Sequence, residues 1–104
     1  MKHKMTIAHG KMFYHLDYEP GDTVEWESQA GGSTKAKRGE VLAILPAGRR
    51  LHQYLPADTP SSQCKAQNVS AIPRALIEVP RGGKSVKADF YAPHVSKPRF
   101  VSAN

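Results

Sequence analysis

GDTVEWESQAGGSTKAKRGEVLAILPAG, residues 21–48, is the stretch whose reading decides the fold. In DTVEWES the residues alternate. Val24 and Trp26 point one way and Thr23, Glu25 and Glu27 the other, the period of a half-buried strand. QAGGSTKAK reads as a flexible turn, because Gly31-Gly32 supplies positive φ angles at little steric cost. In RGEVLAIL the apolar residues Val41 to Leu45 are consecutive, which fits a central strand. Pro46 ends it, since proline cannot donate to a ladder. Strand, Gly-rich turn and strand predict an antiparallel hairpin with a loose loop, longer than the tight two-residue kind.

The same logic recurs downstream. ALIEV reads as a strand, PRGGKS as a turn around Gly82-Gly83, and KADFYAPHVS as an aromatic strand closing near Pro93. Between the hairpins, residues 47–74 hold three prolines and many small polar residues with no clean period. This segment reads as a long irregular insertion with one short helical turn around RRLHQYL; loops of that length are usually functional or disordered. PADTPSSQCKAQNVS offers little to bury, which predicts protease sensitivity over residues 56–70. Upstream, KMFYHLDY fits an edge strand better than a short helix, and Tyr18 to Asp22 read as a turn. The expected organisation is one domain: an N-terminal edge strand or arm (1–17), a first hairpin (18–46), the insertion (47–74), a second hairpin (75–97) and a tail (98–104). Strand position predicts a core of Val24, Trp26, Val41, Ala43, Leu76, Val79 and Val95.

These residues carry a resemblance. PGDTVEW, a Gly-rich turn and RGEVLAIL resemble the opening of SH3-like barrels of the Tudor and KOW type, in which a GD-x-V-x-W strand leads through a loop to a G-x-V strand. ALIEV, a Gly/Lys turn and FYAPHVS are similar to the closing strands of bacterial and phage Tudor-like proteins. The resemblance covers residues 20–46 and 74–96, about half the chain. It implies an all-β fold, a small SH3-like antiparallel barrel interrupted by the insertion. Its motifs mark turns and core positions rather than a reaction, and the broad class binds RNA, DNA, methylated side chains or other proteins.

Composition narrows the functions. The 104 residues suit a single domain, and 39% apolar content with eight Gly and eight Pro predicts a small core and much loop. The one cysteine, Cys64, cannot close an internal disulfide and sits in a polar context without an activating partner. The five histidines lack zinc spacing, with His3, His9 and His15 six apart, so no metal site is predicted. Glu25 and Glu27 read as a solvated strand face rather than a catalytic pair. Gly-rich phosphate loops are absent, so no cofactor is expected and the chain reads as a binding module, not an enzyme. No apolar run is long enough to span a bilayer, and the basic N-terminus lacks the apolar core of a secretory signal, so the expected location is cytoplasmic.

Charge supplies the positive signal. The net charge is +6, and twelve of the fifteen Lys and Arg lie beyond residue 27, against four of the nine acids. Lys35, Lys37 and Arg38 fall in or near the first Gly-rich turn, Arg81, Lys84 and Lys87 in or near the second, and Arg49 and Arg50 open the insertion. On one barrel these turns would converge on one basic rim, with Tyr91 as a stacking ring beside it. Cations beside aromatic rings suit nucleic acid, held mostly through its phosphate backbone. The same rim would suit an acidic protein surface, as in a phage or mobile-element accessory protein. Trp26, on the apolar parity of its strand, reads as core rather than as a ligand contact.

Overall fold

A computed structural model describes residues 4–30 and 32–104 of the chain. It is all-β. Strands β1 (Met5–His9) and β2 (Met12–Leu16) form a small antiparallel hairpin. Strands β3 (Asp22–Ala30), β4 (Ser33–Leu45), β5 (Arg74–Pro80), β6 (Ala88–Tyr91) and β7 (Arg99–Ala103) form a five-stranded antiparallel sheet in the order β6-β5-β4-β3-β7. Strands β3 to β6 are thus a meander, and the chain end returns to pair with β3. Strands β6 and β7 are the two edges, and among the described residues no ladder joins them into a closed barrel.

Four expectations change here. The ladder runs on to Ala30 and Ser33, so Lys35, Lys37 and Arg38 belong to β4 rather than to a loop. The N-terminal segment is a hairpin, not a single edge strand or arm, because TIAH alternates in burial as MFYHL does and pairs with it across the Gly10 turn. The tail is also a strand: Asp22 to Glu25 are paired to Ala103 to Arg99, with one register shift. The aromatic strand is shorter than expected and stops at Tyr91.

The apolar run of β4 is buried on both faces. Val41 and Ile44 pack on one side, with Val24 and Trp26 of β3 and Ala75, Ile77 and Val79 of β5. The β1–β2 hairpin covers this side with Met5, Ile7, Tyr14 and Leu16, joined by Tyr18 and Val95. Leu42, Ala43 and Leu45 pack on the other side, with Leu76 and Phe90. The switch of side follows from a bulge: Val41 pairs with Ile77 and Ala43 with Leu76, leaving Leu42 as the extra residue. Of the expected core, Val24, Trp26, Val41, Leu76 and Val95 are buried, while Ala43 and Val79 are half-buried.

Residues 46–73 cover the second side. Two short 3₁₀ turns, Leu51–Gln53 and Ser61–Gln63, punctuate this insertion. Leu51 is fully buried against Leu45, Leu76 and Phe90, with Tyr54, Leu55, Cys64 and Ala66 around it. The insertion then lines the β6 edge. The Lys65 backbone N–H donates to the Phe90 carbonyl (2.8 Å) and the Gln63 side-chain amide to the Ala88 carbonyl (2.7 Å). Residues 56–70 bury little, as the sequence leads one to expect: Ser70 alone among them is buried. Their apolar atoms are few, yet their backbone hydrogen bonds fasten them to the sheet.

Short-range chemistry fixes the frame. Asp22, buried at the start of β3, accepts from the Glu19 backbone N–H (3.0 Å) and from Lys4 Nζ (2.9 Å), so it closes the Pro20-Gly21 turn and tethers the N-terminal hairpin. Tyr18, 1% exposed, donates its hydroxyl to the Val95 carbonyl (2.7 Å), and burial, helped by Asp17, pushes its phenol above the ordinary range. Gly39 is a glycine because β5 leaves no space: a methyl there would run into the Glu78 carbonyl. Replacing the buried Leu51 by alanine should cost about 2–5 kcal/mol. It should also expose Lys65 to trypsin; a variant as stable and as resistant as the parent would show that the insertion does not hold the second face.

Candidate functional site

The meander places the β3–β4 and β5–β6 turns at one end of the sheet and the start of the insertion at the other. Arg49 and Arg50 follow Leu45, at the opposite end of β4 from the hairpin tip that carries Lys35. These two arginines are exposed but do not join the expected rim. Lys84 and Lys87 are exposed in the β5–β6 turn, at the same end as the first hairpin tip.

Register sorts the β4 cations by face. Trp26 pairs with Lys37 and Ser28 with Lys35, so both lysines project from the Trp26 face. Arg38 pairs with Glu25 on the opposite face and is ion-paired to it at 3.0 Å. Arg38 thus leaves the set that Lys35 and Lys37 belong to. Arg81 leaves it for a similar reason. Its Nε and Nη2 donate to Asp89 Oδ1 (3.0 and 2.8 Å), which holds the Asp89 carboxyl below the usual carboxylate range. The charges of Lys65 and Lys37 push Asp89 the same way, which places both lysines within range of that carboxylate.

On the Trp26 face the structure opens a cleft of about 820 Å³. Its walls come from the β3–β4 hairpin, from the insertion at Lys65 to Gln67 and Ser70, from the start of β5 at Arg74, and from the segment Tyr91 to Lys97. Trp26, 3% exposed, meets Tyr91 edge-to-face with ring centroids 5.8 Å apart. Lys37 Nζ lies 4.9 Å from the Tyr91 centroid, a cation–π contact. Trp26 is accordingly both core and cleft lining.

Arg74 carries the least expected chemistry. The residue is 3% exposed, and its guanidinium donates to the carbonyls of Gln67 (2.6 Å) and Asn68 (3.0 Å). No carboxylate of the described residues pairs with it. Burial lowers its pKa, but a guanidinium remains charged across the range in which proteins fold. Lys35, Lys65 and Lys97 are exposed and also lack an ion pair among the described residues. Among those residues no group of three or more His, Cys, Asp or Glu could hold a metal, and no helix is long and apolar enough to cross a membrane.

Sequence reasoning placed Lys35, Lys37 and Tyr91 among the site residues and passed over Lys65, Arg74 and Lys97. The insertion has no periodicity from which to place Lys65, and Lys97 lies between the last two strands. Arg74 did leave a sign, a charge immediately before the apolar run ALI. Comparison with protein-family models, curated proteins and solved structures finds no match to this chain.

Arg74→Met keeps the stem and removes the donors to Gln67 and Asn68. With charged-group hydrogen bonds contributing about 1.5–3 kcal/mol, thermal stability should fall measurably and trypsin should cut after Lys65 sooner. Unchanged melting and cleavage would show that Arg74 does not pin the loop.

Proposed function

We propose that this protein is a non-catalytic module that binds nucleic acid, mainly through phosphate contacts, along the cleft on the Trp26 face. One observation carries the reading. Cations from separate segments, Lys35 and Lys37 of β4, Lys65 of the insertion, Arg74 of β5 and Lys97 before β7, border or line one concavity and pair with no carboxylate of the described residues. An anionic polymer is the partner that matches a row of cations that outnumber the nearby carboxylates Glu27 and Asp89. Lys84 and Lys87 extend the basic surface at the hairpin end. The pattern from GD-x-V-x-W to G-x-V supports an SH3-like relationship for the five-stranded sheet, a fold-level reading that leaves the function to the cleft.

Binding of this kind weakens steeply with salt. A Lys35→Glu/Lys65→Glu/Lys97→Glu variant should fold as the parent does, since all three side chains are exposed. Its salt slope on single-stranded DNA should fall by about two units, at roughly 0.7 per phosphate contact. A parent protein that binds neither DNA nor RNA at low salt would overturn the reading and turn the search to an acidic protein partner.

A further inference from the structure

We infer that the cleft seats an unpaired nucleotide, its base on Tyr91 and its phosphate beside Arg74 and Lys97; this deepens the nucleic-acid reading and rests on it. Three observations lead there.

The first is the ring. Tyr91 is half-buried, backed edge-on by Trp26 and capped by the ammonium of Lys37. That cap is the end of a flexible side chain and occupies the position a stacked base would take. A base entering the cleft displaces Lys37 and frees its charge for the backbone. Stacking of this kind accepts any base, because every base has a π-face.

The second is the buried charge. A guanidinium has five N–H donors, and the structure gives those of Arg74 two carbonyl acceptors, at Gln67 and Asn68. The residue is largely buried and hydrogen-bonded, with no carboxylate of the described residues beside it. A phosphate in the cleft that Arg74 lines would supply the missing charge, with Lys97 on the same wall.

The third is shape. The cleft is an open concavity with a volume in the range of small-ligand sites. Its rings and the buried Arg74 are recessed, out of reach of a duplex whose bases are stacked inside it. A single strand can turn a base inward and keep its backbone along Lys35, Lys65 and Lys97.

The chain has one tryptophan, and it lines this cleft, so its fluorescence reports entry directly. The test titrates the full chain at low salt with a short oligothymidylate, a blunt duplex of equal length and an abasic oligomer of equal charge. The expected result is that the oligothymidylate changes Trp26 emission and binds about tenfold or more tightly than the abasic oligomer, while the duplex leaves the emission unchanged. Tyr91→Leu, which keeps an apolar side chain but removes the ring, should erase that preference. Equal binding of all three without a change in Trp26 emission would overturn the nucleotide seat and leave the phosphate-binding surface standing. Binding of none would overturn both.

Discussion

Between Val41 and Ala43, strand β4 carries one residue, Leu42, that has no partner of its own on β5. Strict alternation from Val41 would put Ala43 and Leu45 beside it and Ile44 on the opposite face. The extra residue reverses that order beyond position 42. Ile44 rejoins Val41 under the N-terminal hairpin, and Leu42, Ala43 and Leu45 face the insertion. Both faces of the central strands are then apolar and both need cover. The hairpin supplies one cover and residues 46–73 the other, so a chain with few apolar residues still encloses two small cores.

The cleft follows from this arrangement. To cover the second face, the insertion leaves the far end of β4, crosses to the β6 edge and returns to β5. On the way it brings Lys65 beside the Trp26 face, where Lys37 and Asp89 already lie. Its return is fastened by Arg74, whose guanidinium meets the carbonyls of Gln67 and Asn68. The residue that closes the structure is therefore also the charged residue set deepest in the cleft wall. Stability and site share it, so a substitution at Arg74 affects both, whereas Lys65 and Lys97 can be changed at the site alone.

Much of the sheet was legible. The alternation of DTVEWES, the run VLAIL, the strand ALIEV and the turn at Gly82-Gly83 all lie where local pattern puts them. What local pattern misses is long-range. Nothing in RFVSA marks it as the partner of β3 across some eighty residues. The insertion hides its order because its attachment is made by backbone groups and by Leu51 and Arg74, not by a repeating apolar face. The cations show the same limit. Position near a turn groups Lys35, Lys37 and Arg38 together, but strand register separates Arg38 and gives it to Glu25. Arg81 is likewise taken by Asp89. The site is recognisable only once paired charges are set apart from free ones.

Backbone amide shift mapping during titration with a short single-stranded oligonucleotide tests the central claim most directly. The account predicts perturbations centred on Trp26, Lys37, Lys65, Tyr91 and Lys97, residues far apart in sequence that come together at the cleft. Perturbations confined to Met12 and Phe13 on the outer hairpin, and absent from the cleft, would contradict it.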